Sequence, residues 1–285
     1  MTMTFGERLR TAMRTRGPLC VGIDPHPALL HAWGFDDDPA GLERFGRAVV
    51  QALGGDVAVL KPQSAFFERH GSKGIAVLER VVAGAREAGS LVLMDAKRGD
   101  IGSTAQAYAE AYLDPSSPLC SDAVTASPYL GFGSLRPLID MALTHGNGVF
   151  VLALTSNPEG AEVQSAMGAT RRTVAGTVLD HVRETNRQGE GWGSVGCVVG
   201  ATLGVTTENL DVGGPLLAPG LGAQGATPHD LPRVFGAALT SVLPAFSRSV
   251  LTAGPDPDDL RAAAASARDA VKQVLVGGSP SREQG

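Results

Sequence analysis

The chain has 285 residues, 43% of them hydrophobic and 19% charged, with a formal net charge of −5. That composition supports a sizeable core, and length alone leaves one large barrel or two domains open. The acidic balance, with no basic stripe, argues against nucleic acid as a partner, and no apolar run reaches membrane-spanning length.

From Met1 to Gly17 the chain carries Arg8, Arg10, Arg14 and Arg16 but lacks the apolar stretch of a secretory signal. Phe5, Leu9 and Met13 recur every four residues, so an amphipathic helix is expected over 1–17. Short apolar runs bounded by turn residues then predict strands at 19–23, 57–60, 91–94, 123–126, 149–154, 197–201, 215–218 and 242–246. Helical patterns lie between them: Leu42/Phe45/Val49/Leu53, Ile75/Leu78/Val82/Ala85, Ala105/Tyr108/Ala109/Tyr112, Leu135/Leu138/Ile139/Ala142, Val174/Val178/Val182, Leu231/Val234/Phe235/Ala238 and Leu260/Ala264/Val271/Val274. Thr227-Pro228-His229-Asp230 reads as a helix start, with a capping Thr, Pro in first position and a carboxylate in the first turn. Residues 184–195 read as an elaborated loop, and 277–285 as a loose polar tail.

Strands and helices in alternation, with no evident linker, predict an α/β fold: a single (β/α)8 TIM-barrel domain over 1–285 with an N-terminal helix. A doubly wound open sheet is the competing architecture. It would bring a Gly-rich nucleotide turn after the first strand, whereas here that strand leads into Asp24-Pro25-His26-Pro27. Cys20, Cys120 and Cys197 are widely spaced, and the two in apolar runs read as buried thiols of a reducing, cytoplasmic protein.

The active-site face of such a barrel is built at the C-terminal ends of its strands. Asp24, Lys61, Asp95, Lys97, Thr125, Ser127, Thr155, Ser156, Thr202, Gly220, Gln224, Ser247 and Arg248 fall there. Any one of them is more readily a cap or a turn former; together on one rim they point to a site. In Leu91-Val-Leu-Met-Asp95-Ala-Lys97-Arg-Gly-Asp100 a buried run meets three charges, which are costly unless paired or used. Asp95 and Asp100 should hold Lys97 protonated, which suits proton donation better than Schiff-base formation. Pro219-Gly-Leu-Gly-Ala-Gln224-Gly225 and Arg248 occupy the usual barrel phosphate site after strands seven and eight, so a phosphorylated substrate is expected. The six histidines are scattered and the carboxylates stand beside lysines, so no metal site is expected.

These residues resemble the orotidine 5′-phosphate decarboxylase family, from Gly22-Ile23-Asp24 to Ser247-Arg248-Ser249, and most of all its longer bacterial branch. Asp95-Ala-Lys97-Arg-Gly-Asp100-Ile101-Gly-Ser-Thr104 matches the D-x-K-x-x-D-I-x-x-T signature in full. Lys61 in Val-Leu-Lys-Pro and the Pro219–Gln224 block match further segments in order. The resemblance implies decarboxylation of orotidine 5′-monophosphate to UMP without metal or cofactor. It makes Lys97 the proton donor to C6 in an array of Lys61, Asp95, Lys97 and Asp100. It sets Asp95 against the substrate carboxylate and implies a homodimer in which Asp100, Ile101 and Thr104 reach the other subunit's site. Asp24 and Lys61 would hold ribose hydroxyls, Ser156 the pyrimidine edge, and Gln224 and Arg248 the phosphate, beside Pro219 and under a closing loop over 223–230. The sequence departs from the family at Ser247, where relatives often carry Gly. The rival readings are a Mg2+-dependent sugar-phosphate decarboxylase or aldolase of the same suprafamily, discriminated by Lys61, and a Schiff-base barrel aldolase. A non-enzymatic phosphate-binding barrel ranks below both.

Overall fold

The computed structural model describes residues 3–169, 171–189 and 191–277. The expected loose tail lies outside them except for Gly277, which ends the last helix. Eight parallel strands close into a barrel in chain order: β1 (Cys20–Ile23), β2 (Val59–Pro62), β3 (Leu91–Arg98), β4 (Ala123–Ala126), β5 (Gly148–Leu154), β6 (Val195–Val199), β7 (Leu216–Ala218) and β8 (Val242–Phe246). The ring closes where β8 pairs with β1.

Alternation along each strand sorts the side chains into two cores. Outward residues such as Val21, Leu60, Val92 and Val124 pack under the surrounding helices, while Cys20, Val59, Leu91, Leu93, Ala123, Phe150, Leu217 and Leu243 fill the barrel. The predicted face Leu42, Phe45, Val49 and Leu53 is buried on Pro39–Leu53; on Val174–Arg187 Val178 and Val182 are buried, while Val174, at the helix start, is exposed. None of the helices among the described residues is long and apolar enough to cross a membrane.

Four expectations need correction, the first being β6, which starts two residues before its predicted range and ends at Val199. Strand β2 lies two residues beyond the predicted range, because Asp56 and Val57 are held in a turn by the Leu53 carbonyl (3.1 and 3.3 Å). Lys61 therefore stands inside the strand, as do Asp95 and Lys97 in the longer β3. The apolar pattern from Leu231 does not stay α-helical: it gives way after Phe235, at Gly236 with φ +48°, to a 3-10 stretch over Gly236–Ser241. Residues 184–187 belong to a helix, so the elaborated loop begins only after Arg187.

The end of that helix anchors the segments around it. Asn186 is buried; its Nδ2 donates to the carbonyls of Val195 (2.7 Å) and Val212 (2.9 Å), and its Oδ1 accepts from Val195 N–H (3.2 Å). The loop folds back against the N-terminal helix, Phe5–Arg16, whose Gly6 N–H donates to Ser194 Oγ (3.1 Å). A Cβ on Gly6 would collide with the carbonyl oxygens of Trp192 and Gly193. The helix is fixed at its start by a capping box between Thr4 and Glu7 and clipped to the barrel by an Arg8–Asp122 ion pair. Its Phe5, Leu9 and Ala12 plug the barrel's lower end, Phe5 meeting Phe150 edge-on at 6.0 Å. Phe5 is 2% exposed, so Phe5→Ala is expected to destabilise the fold by about 3–5 kcal/mol. A urea unfolding curve with an unshifted midpoint would contradict the plug.

Candidate active site

The upper end of the barrel opens into a cavity of about 500 Å3. Leu152, Val198 and Leu217 form an apolar floor, and charged and polar groups stand above it. Inward alternation explains the placing: Val59 and Lys61 share one face of β2, Leu91, Leu93 and Asp95 share one face of β3, and Ala123 and Thr125 share one face of β4.

Lys97 continues the inward face of β3, through an irregularity in the strand. Met94 pairs with Val124 and Arg98 with Ala126, so four steps along β3 answer two along β4. This bulge carries Lys97 into the left-handed region at φ +49°, an uncommon conformation for a side chain other than Gly or Asn. Lys97 N–H donates to Thr125 Oγ1 (2.9 Å), which fixes the distortion. Arg98 is turned outward, where it pairs with Glu68 and lies over the Tyr108 ring at 5.4 Å.

Asp95 is the hub. Its Oδ2 accepts from Lys61 Nζ (2.8 Å) and Gln63 Nε2 (3.1 Å), and its Oδ1 accepts from Lys97 Nζ (2.6 Å) and Thr125 Oγ1 (2.9 Å). Burial alone would push its carboxyl up; the ammonium groups of Lys61 and Lys97 overcome that and hold it well below the usual carboxylate range. Burial alone would push Lys61 down, but Asp95 and then Asp24 raise it above the ordinary lysine value. Lys61 is therefore a fixed cation and a poor amine nucleophile. Lys97 differs in access: its side chain is 46% exposed against 9% for Lys61, so one ammonium is buried and the other reaches the cavity. Beneath them burial pushes the Cys20 thiol up to about 12, leaving it protonated.

Apart from Ser127 and Thr202, the rim residues expected from sequence line this cavity: Asp24, Lys61, Asp95, Lys97, Thr125, Thr155, Ser156, Pro219, Gly220, Gln224, Ser247 and Arg248. Asp100, Ile101 and Thr104 do not. They lie beyond the β3 bulge around the start of the helix Gly102–Leu113, with Ile101 62% exposed. Gln63 was not singled out in the sequence, although its position two residues after Lys61 is the available signal; His26 and Phe66, packed at 4.2 Å between ring centres, also line the site.

The glycine-punctuated loop after β7 is a compact turn. Gly220, Gly222 and Gly225 all have positive φ (+102°, +75° and +97°). Gly222 N–H donates to the Ala226 carbonyl at 2.8 Å. A Cβ on Gly222 would lie 2.7 Å from that of Ser249, so glycine is required both by conformation and by space. The loop leads into the predicted helix start, where Thr227 N–H and Oγ1 both donate to Asp230 at 2.9 Å. Gln224 within the turn and Arg248 after β8 both line the cavity, adding an amide and a guanidinium to its lining.

Metal ligation is poorly served by this donor set, since both oxygens of Asp95 are engaged by cationic or N–H and O–H donors. No group of three or more His, Cys, Asp or Glu side chains among the described residues is arranged to hold a metal ion.

Residues 17–264 match the model of the orotidine 5′-phosphate decarboxylase / HUMPS family. Over 262 residues the chain is 65% identical to the orotidine 5′-phosphate decarboxylase of Salinispora arenicola, covering 92% of this chain and 94% of that one. It is 64% identical to the enzyme of that name from Streptomyces coelicolor, covering 91% and 94%. A crystal structure of a Streptomyces avermitilis protein assigned to the same enzyme superposes with a TM-score of 0.94 at 61% identity, covering 96% of this chain and 97% of that one. Leishmania donovani OMP decarboxylase superposes with a TM-score of 0.78 at 30% identity, covering 96% and 100%.

Proposed function

The chain belongs to the orotidine 5′-phosphate decarboxylase family, and from that premise we propose that it converts orotidine 5′-monophosphate to UMP without metal or cofactor, Lys97 delivering the proton. The observation that carries this reading is the array of Lys61, Asp95 and Lys97 around one buried carboxylate, with the exposed ammonium facing the cavity.

Loss of CO2 from C6 leaves an electron pair in the plane of the pyrimidine, where the ring π system cannot take it up. The barrier then falls only if positive charge is fixed beside that carbon as the pair forms. The Lys97 ammonium is held to Asp95 before substrate arrives, so little reorganisation is needed, and it can then protonate C6. Asp95 cannot readily take up a proton, so it stays anionic beside the substrate carboxylate; that repulsion, relieved as CO2 leaves, is a ground-state contribution.

The substrate would lie with its phosphate against the Gly220–Gly225 turn, Gln224 and Arg248, beside Pro219, with Ser156 at the pyrimidine edge. Asp24 and Lys61 would take ribose hydroxyls. Closure of the 223–230 loop over the phosphate would exclude water and convert remote binding energy into order at the reacting carbon. The second subunit of a homodimer would supply Asp100, Ile101 and Thr104 of the partner subunit. The exposure of Ile101, and of Tyr129 (77%) and Leu130 (52%) on the neighbouring loop, supports that role. A pyrimidine-nucleotide enzyme of this kind would work in the cytoplasm, in keeping with its three free thiols.

The test is orotidine 5′-monophosphate consumption followed by absorbance, with and without EDTA. Turnover unaffected by EDTA is expected. Absence of turnover, or EDTA-sensitive turnover restored by Mg2+, would overturn the reading in favour of the metal-dependent branch. A borohydride-trapped adduct on Lys61 or Lys97 would favour Schiff-base chemistry instead.

A further inference from the structure

We infer that Ser247 is a positioning residue for Asp24, holding that carboxylate as a substrate acceptor; the inference rests on the nucleotide reading above. Ser247 directly follows β8 and precedes the short helix Arg248–Leu251. A serine at such a position ordinarily accepts a backbone N–H of the first turn. Here the hydroxyl makes no capping bond, and it donates instead to Asp24 Oδ2 at the end of the adjoining strand β1. The other oxygen, Oδ1, is buried and has no donor among the described residues. Polar atoms in that condition are rare, and at a ligand site they mark an acceptor that a bound group completes.

The surroundings are shaped to this contact. Gly22 faces the pair, and a Cβ there would come within 2.9 Å of Ser247 Cβ and Oγ and 3.1 Å of Asp24 Oδ1. Lys61 lies close enough for Asp24 to add to its charge stabilisation, yet its hydrogen bond goes to Asp95. Without the Ser247 hydroxyl, Asp24 is free to turn onto Lys61, where it would compete with Asp95 and cease to serve a sugar hydroxyl. Serine at position 247 therefore contributes a function that glycine there cannot.

Ser247→Ala is expected to raise KM about ten- to thirtyfold, the loss of a hydrogen bond to a charged acceptor, with kcat changed far less. The diagnostic readout is competitive inhibition by UMP against 2′-deoxy-UMP and 3′-deoxy-UMP. In wild type at least one deoxynucleotide should bind markedly more weakly than UMP, and in Ser247→Ala that preference should shrink. Ser247→Gly, which removes the hydroxyl without adding bulk, should behave alike. Gly22→Ala, which keeps both partners but drives them apart, should also narrow the preference; thermal melting checks that each variant is folded. Wild-type turnover with an unchanged UMP preference in both Ser247 variants would overturn this inference alone. Absence of wild-type turnover would overturn the underlying reading and this inference with it.

Discussion

Replacing Lys97 by Ala is expected to reduce kcat/KM by about 10^4-fold or more, because one side chain serves both as the fixed positive charge beside C6 and as the proton donor. The loss should fall on kcat, since Arg248, Gln224 and the glycine turn are untouched and would still bind the nucleotide phosphate. UMP affinity, measured by calorimetry, should therefore change little. Asp95 would keep Lys61, Gln63 and Thr125 as donors, so the barrel should remain folded. A second effect separates chemistry from backbone: at φ +49° an alanine is strained and a glycine is not. Lys97→Gly should accordingly be more stable than Lys97→Ala by about 1 kcal/mol, while both are catalytically dead. Retention of turnover by either variant would remove Lys97 from the reaction.

The same residue shows how far the sequence can be read. Leu91, Leu93 and Asp95 alternate along one face of β3, and Val59 and Lys61 along one face of β2, so period-two reasoning brings Lys61 and Asp95 to the barrel mouth. The eight strands were legible for the same reason, each being a short apolar run between turn formers. The bulge that sets the Lys97 backbone in the left-handed region is not legible, because it is a mismatch between β3 and β4 and neither strand alone encodes it. Gln63 is weakly signalled for a related reason: its partner is 32 residues away in sequence, and only the two-residue spacing from Lys61 points to it. The N-terminal helix was legible as amphipathic from Phe5, Leu9 and Met13. That its apolar face plugs the barrel depends on Phe150, Gly148 and the loop around Trp192, none of them nearby in sequence. Ser247 was visible as a departure from the family pattern, but its meaning lies in a carboxylate 223 residues upstream.

Mixing two inactive variants should restore activity if the site is shared between subunits. Asp100, Ile101 and Thr104 lie outside the cavity of their own chain, while Lys97 lies within it. On the proposed reading the array would be completed by Asp100 of the partner subunit. Asp100→Asn alone should be strongly impaired, because it removes a carboxylate that would fix the Lys97 ammonium, and Lys97→Ala should be inactive as above. In a two-fold dimer each site draws Lys97 from one chain and Asp100 from the other. About half of randomly paired dimers hold one subunit of each kind, and each such dimer has one doubly altered site and one intact site, so about a quarter of wild-type activity should return. Recovery should follow subunit exchange and be detectable beside native mass spectra of the mixed dimer. Ile101→Asp supplies an independent arm: it puts a charge on a side chain that is 62% exposed in the single chain but would be covered in the dimer, so activity should become steeply dependent on protein concentration. Mixed dimers that form without regaining turnover, or a fully active monomer, would place the whole site within one chain. The exposed Ile101 and Tyr129 would then need another explanation.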